Sequence, residues 1–246
     1  MKAPRLRIAT YNLQKCVGLD LRRNPHRALE VLEDTGAQIA VLQEADKRLP
    51  PRPAALPPDL LQAEGWHALP FATPDGAGPG VSLGWHGNAM LLRPGIAVEG
   101  LDTLTLPGIE PRGAILADLD TVLGPLRVVG VHLSLLTRDR LRQVSEIRRQ
   151  LERHPIRPTL IAGDFNHWGA PLALAAELRD FDLLPCPPGY PAPRPVGALD
   201  RFALSSQAQA AGLHAGPVHA HITRPARIAS DHLPLVVDLS RIAESP

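Results

Sequence analysis

Short apolar runs, each closed by a polar side chain, recur along this chain, and no other feature limits its fold so much. Leu6-Arg7-Ile8-Ala9-Thr10-Tyr11 reads as a strand ending at Asn12. Ile39 to Leu42 is a continuous apolar run, as expected of a strand buried on both faces, and it ends at Gln43-Glu44. Further strands are expected at Ala89 to Leu92, Ile96 to Leu106, Gly113 to Leu119, Leu126 to Leu133, Thr159 to Ala162, Leu199 to Leu204 and Leu233 to Leu239. Helices are fewer. Asn24-Pro25 supplies an N-cap and a first-turn proline for a helix that ends near Gly36. Thr137 is expected to cap a helix from Arg138 to about His154, with Leu141, Val144, Ile147 and Leu151 as its apolar stripe. A short helix is expected over Pro171 to Leu178. Strands outnumber helices and often follow one another directly, which predicts an α+β fold with mixed or antiparallel sheets.

Composition removes several classes. Of 246 residues, 44% are hydrophobic, which is enough for a core and against disorder. The only lysines are Lys2, Lys15 and Lys47, and none follows a glycine, so a Gly-Lys-Ser/Thr phosphate loop is impossible. No run approaches the ~20 apolar residues of a membrane span, and the N-terminus lacks a signal-peptide pattern. Cys16 and Cys186 make neither a disulfide framework nor a Cys-x-x-Cys zinc site, and a cytoplasmic location is expected. Of the 27 prolines, 13 lie in stretches at 50–58, 72–87 and 185–195, which read as loops too short to separate independent cores. With no internal repeat, one domain is expected over residues 1–246, its core at about 6–240. A net charge of +1 gives no whole-protein field for nucleic acid, but leaves room for a local basic groove.

The polar residues at the strand ends carry the chemistry. Gly163-Asp164-Phe165-Asn166 puts a carboxylate and an amide at the end of an apolar strand, a pairing suited to metal and phosphate. Ser230-Asp231-His232 places an imidazole beside a carboxylate at the mouth of another strand. His132 ends a third strand, Asp200 interrupts an apolar run, and Asn12 and Glu44 complete the set. Each has a plain alternative as a turn, a cap, a structural histidine or a salt-bridge partner. Their coincidence at strand edges favours a common site.

In this order and wording, the chain resembles the endonuclease/exonuclease/phosphatase superfamily, the DNase I-like fold. The matching residues are Thr-Tyr-Asn12, Leu-Gln-Glu44, Gly-Asn88-Ala-Met, Pro-Arg112-Gly-Ala, Val-His132-Leu, Gly-Asp164-Phe-Asn166, Leu-Asp200-Arg-Phe and Ser-Asp231-His232, over about residues 6–240. Within the superfamily it looks most similar to small stand-alone bacterial members. The resemblance implies a four-layer α/β/β/α sandwich of two packed mixed sheets, and a metal-assisted phosphoesterase with Mg²⁺, for which Mn²⁺ would substitute. It implies Glu44 as principal metal ligand with Asn12 beside it, and Asp231 in that shell or a second one. His232 paired to Asp200 and the nearby Asp164 are then candidates for the base, with the choice between Asp164 and His232 open. Asn166 would donate to a phosphoryl oxygen, and His132 would donate to the phosphate or protonate the leaving oxygen. Arg112 reads either as a phosphate clamp or as an ordinary ion pair, and Asn88 either binds phosphate or orients His132. Trp85, His86, His167 and Trp168 flank these motifs, as stacking surfaces or as packing. Cys16 has no paired base and is not expected to be a nucleophile, and His214, His219 and His221 read as strand and loop histidines. A phosphodiester, nucleic acid included, is the expected substrate of a monomer without an inferable protein partner. A lipid head group, a small phosphate ester, or a non-catalytic binding module are the alternatives.

Overall fold

A computed structural model of the chain describes residues 4–47, 53–71 and 82–241. In it the strands form two sheets whose inner faces meet. The first sheet contains β1 (Arg5–Asn12), β2 (Ile39–Gln43), β3 (His67–Ala68), β4 (Ala89–Leu92), β11 (Leu213–Ala215), β12 (His219–Ala220) and β13 (Leu235–Arg241). Its order is β11-β13-β1-β2-β4-β3, with β12 also paired to β13. The second contains β5 (Ala97–Leu106), β6 (Arg112–Thr121), β7 (Gly124–His132), β8 (Thr159–Asp164), β9 (Phe181–Leu183) and β10 (Asp200–Ser205), in the order β5-β6-β7-β8-β10-β9. Both are mixed: β1 and β2 run parallel, as do β7 and β8, and the remaining pairs are antiparallel.

Alternation along the strands builds the layers. Leu6 and Ile8 of β1, Val128 of β7, Ala162 of β8 and Phe202 of β10 fill one core between the sheets. Ala9 and Tyr11 point the other way, to a second core under helix α1 (Pro25–Asp34) and the short helices α2 (Pro58–Ala63) and α6 (Ala226–Ala229). Val129, Val131 and Ile161 face a third, under α3 (Thr137–Leu151) and α4 (Leu172–Glu177). The four-layer sandwich is thus three apolar seams, each buried side chain contributing roughly 1.5–3 kcal/mol against exposure. A short α5 (Ser206–Ala210), capped by the Ser205 hydroxyl, follows β10.

The helix starts illustrate where pattern suffices. Asn24 does cap α1, accepting from the Arg27 N–H at 3.0 Å. Thr137 does not cap α3. It is the first helical residue, its hydroxyl accepts from Arg140 at 2.9 Å, and the helix ends at Leu151 rather than near His154. The stretch over 185–195 is a loop apart from an isolated bridge of Tyr190 to Gly197. In the 50–58 stretch, residues 50–52 lie outside the described residues, and Pro58 opens α2. In the 72–87 stretch, residues 72–81 also lie outside.

Candidate active site

The inward rows of four strands run out at one level. β1 ends at Asn12, β7 at His132 and β8 at Asp164, while β10 begins at Asp200. All four belong to the same alternation that sends Ile8, Val128, Ala162 and Phe202 into the inter-sheet core. Register puts His132 beside Asp164 across the parallel β7–β8 pair, and Asp200 opposite Asp164 across β8–β10. Gly163 makes this close approach possible. Its φ is +150°, and a Cβ there would lie 2.0 Å from the Val131 carbonyl oxygen.

Asp164 is the hub. Its Oδ2 accepts from Asn12 Nδ2 at 3.1 Å, and its Oδ1 from the Asn166 N–H at 2.9 Å. His132 Nε2 lies 3.6 Å and His232 Nε2 3.9 Å from Oδ2. Burial and then the neighbouring Asp200 push the Asp164 carboxyl up to about 6, against the pull of His232 and the two hydrogen bonds. His232 Nδ1 contacts Asp200 Oδ2 at 2.7 Å. Burial alone would lower the His232 pKa, but Asp200, Asp164 and Asp231 overcome it and raise the ring to about 10. His132 goes the other way: burial, then the charges of Arg112, His232 and Lys15, hold it well below the usual imidazole range. Asp200 therefore serves His232, not a local arginine. Arg201 instead reaches the His167 carbonyl at 3.4 Å. Ligand atoms of Asp164, Asp200 and His232 lie within 4.8 Å of one another, close enough to hold a metal ion.

A second group of oxygen donors forms around a left-handed turn. Gln14, Lys15 and Cys16 have φ of +46°, +57° and +60°, each costing about 1–2 kcal/mol in an L residue. The turn touches each of the three residues expected to hold Mg²⁺. Asn12 Oδ1 accepts from the Gln14 N–H at 3.1 Å, and Gln14 Oε1 accepts from the Asp231 N–H at 3.1 Å. The Lys15 N–H donates to the Glu44 carbonyl at 3.2 Å, and its ammonium pairs with the Glu44 carboxylate. Ser230 binds the Asn12 carbonyl at 2.7 Å, fixing the Ser-Asp-His segment to β1. Glu44, Asn12 and Asp231 offer side-chain oxygens, the donor type that hard divalent cations prefer.

A cleft of about 410 Å³ opens beside this group, with Lys15, Glu44, Lys47, Arg112, His132 and Leu135 among its walls. The structure shows the ion-pair reading of Arg112. It pairs with Glu110 at 2.8 Å and also lines the cleft. Asn88 does not reach the cleft surface. It is fully buried, and its Nδ2 donates to the Gly113 carbonyl at 2.9 Å and the Trp85 carbonyl at 3.3 Å. It braces the strand that carries Arg112 rather than contacting His132. Asn166 sits at φ +50° with Nδ2 on the Leu133 carbonyl at 2.8 Å.

Several residues of the site escaped sequence reasoning. Arg140 Nη1 donates to the carbonyls of Asn166 (2.6 Å), Ser134 (3.0 Å) and Leu135 (3.1 Å). Gln143 accepts from the Ser134 N–H at 2.8 Å and donates to the Pro107 carbonyl at 2.9 Å. The signal was a charged and an amide residue on the buried face of α3, beside Val144 and Ile147. Tyr190 packs on His232 with ring centroids 4.9 Å apart, and the half-exposed Trp168 meets Tyr190 edge-on at 5.8 Å. Trp85, in contrast, is packing: its indole fills the space beside Gly113 and against His86. His167 turns to the Ala170 carbonyl at 3.0 Å. Cys16 is buried with its thiol pushed up to about 12, first by burial, as suits a core residue rather than a nucleophile. His214 and His219 lie on β11 and β12, and among the described residues neither they nor His221 belong to a metal-holding cluster.

Two mixed sheets that bring their last inward side chains to one open end, with helices outside, are the DNase I-like architecture. Residues 9–232 match the endonuclease/exonuclease/phosphatase family, and the chain belongs to that family. Among solved structures, it is similar to an endonuclease/exonuclease/phosphatase from Beutenbergia cavernae, at 22% identity and TM-score 0.69, over 98% of this chain and 72% of that one. It is similar to D. rerio TDP2 complexed with single-strand DNA product, at 16% identity and TM-score 0.69, over 96% and 99% of the two chains. It is also similar to a mannosyl-6-phosphatase from Bacteroides thetaiotaomicron, at 16% identity and TM-score 0.71, over 95% and 99%. No curated protein matches the chain. Family and site together point to hydrolysis of a phosphate ester. No helix among the described residues is long and apolar enough to cross a membrane.

Proposed function

We propose that this chain is a Mg²⁺-dependent, nuclease-like phosphodiesterase in which water attacks phosphorus in line with the leaving oxygen. One observation carries the reading: Asp164 lies between two surfaces. On the His132 side is the cleft with Arg112, and on the His232 side the Tyr190–Trp168 wall. A diester carries a group on each side of its phosphate, whereas a monoester carries one. Structures similar to this fold include one complexed with a single-strand DNA product and a mannosyl-6-phosphatase.

Glu44 would hold the cation, with Asn12 beside it and Asp231 completing the shell. When bound, it would neutralise charge on the phosphate and on the leaving oxygen. Asp164 is the better candidate for the base. Its carboxyl, raised to about 6, is ionised at neutral pH yet basic enough to take a proton from water. His232, held protonated by Asp200, is a donor to the phosphate rather than a base. His132, kept neutral by burial, donates one N–H to the phosphate, and Arg112 supplies a second, planar donor set. Asn166 retains one amide hydrogen for a phosphoryl oxygen beyond the one on Leu133. A lipid head-group diester is a second reading, favoured by Leu135 and Leu136 on the loop after His132, exposed by 64% and 53%. Both cysteines are free, in keeping with a reducing cytoplasm, and we take the acting unit to be a monomer.

The test is turnover of bis-p-nitrophenyl phosphate, p-nitrophenyl phosphate, plasmid DNA, short RNA and choline phospholipids, with Mg²⁺, Mn²⁺ or chelator. A diester should be cleaved at least tenfold faster than the matching monoester, and only with metal. A monoester preference, or full activity in chelator, would refute the proposal.

A further inference from the structure

The chain has three lysines, and one of them stands on the carboxylate assigned above to the metal. This is not a chance contact of a surface side chain. Lys15 is the middle residue of three consecutive left-handed residues, and its own N–H is bonded to the Glu44 carbonyl at 3.2 Å. Glu44 is left-handed too, at φ +50°. Cys16, buried in the core beneath α1, anchors the turn from below, and the hydrogen bonds of Gln14 to Asn12 and Asp231 hold it from the side. Backbone and stem therefore aim one ammonium at Glu44, while Gln14 stays bound to Asn12 and Asp231.

A carboxylate next to a second acid, Asp231, needs a cation close by, and a partly exposed lysine is a weak one. A divalent ion brings twice the charge to the same oxygens and cannot share them with an ammonium without repulsion. We propose that Lys15 is the resident counter-cation of Glu44, displaced when the divalent ion binds. The proposal rests on the metal reading of Glu44. Because the backbone bond to Glu44 is independent of the ammonium, the turn keeps its place when the side chain leaves. The freed stem stays in the cleft shared with Arg112 and His132.

Two measurements on the full chain test this with Mn²⁺ as the probe. By titration calorimetry, Lys15→Gln should bind Mn²⁺ about fivefold more tightly than wild type, the gain expected from removing a partly exposed competing ion pair. In wild-type protein, amine acylation mapped by mass spectrometry should rise at Lys15 when Mn²⁺ is added and stay constant at Lys2 and Lys47. With only three lysines, each site is read separately. Equal or weaker Mn²⁺ binding by Lys15→Gln overturns the proposal, as does Lys15 acylation that is unmoved or reduced with Mn²⁺ bound. Absence of Mn²⁺ binding by both proteins overturns the metal reading itself. Binding by Lys15→Gln where wild type shows none supports both. The acylation arm needs no variant, so a misfolded substitution leaves the proposal falsifiable.

Discussion

Asp164 concentrates the chemistry because four groups meet on its two oxygens. On the proposed assignment, its ionisation would set the acid limb of activity and the protonated His232 the alkaline limb. A base must lose its proton, so kcat/KM should rise with pH through about 6. A donor must keep its proton, so kcat/KM should fall as pH approaches about 10. Asp200→Asn removes the negative charge nearest His232, which should move the alkaline limb to lower pH and cut kcat by about 10²–10³. The pH–rate profile of wild type and variant decides this. An unmoved alkaline limb would refute the pairing. The two raised thiols, Cys16 buried and Cys186 partly buried, give a second residue-scale outcome. Burial first raises Cys16 to about 12 and Cys186 to about 11, so neither should be alkylated by iodoacetamide at pH 8 until the protein is denatured. Rapid labelling of native Cys16, read by mass spectrometry, would contradict its burial.

At the scale of elements, strand β8 and helix α3 share the work of placing the site. Gly163→Ala puts a methyl group against the Val131 carbonyl at a φ of +150° and should cost roughly 2–4 kcal/mol in denaturant unfolding. Among the described residues, the Arg140 hydrogen bonds go to loop carbonyls and the Thr137 hydroxyl, as expected of a positioning residue. Arg140→Ala should lower kcat more than it raises KM, and Arg140→Lys should restore part of the loss. Equal effects of both variants on KM alone would point to a substrate contact instead. The same elements show what was legible. Strands ending in Asn12, His132 and Asp164 could be read because apolar alternation and a terminal polar residue are both local signals. Asn88 could not be placed. Its phosphate-like motif says nothing of the Gly113 carbonyl, which only tertiary pairing brings to it. Arg140 and Gln143 share the buried face of α3 with Val144 and Ile147, but a sequence does not show which loops lie over that face. The Thr137 hydroxyl was predicted one position too far out, since a threonine bonding within the first turn reads like one that caps it.

For the molecule as a whole, the two sheets share one central seam, so unfolding should be a single transition. Far-ultraviolet dichroism and tryptophan fluorescence should give coincident denaturant curves. Separate midpoints would mean that the sheets unfold independently. The order of strands has one more consequence. β1, the first strand, lies between β2 and β13, the last, and Asp231 and His232 directly precede β13. β1 is made before β13, so during synthesis one edge of β1 stays uncovered until β13 has followed it. The His232 imidazole arrives only with β13. A nascent chain stalled between β10 and β13 holds Asp164 and Asp200 without His232, so the grouping around Asp164 is incomplete until β13 is joined.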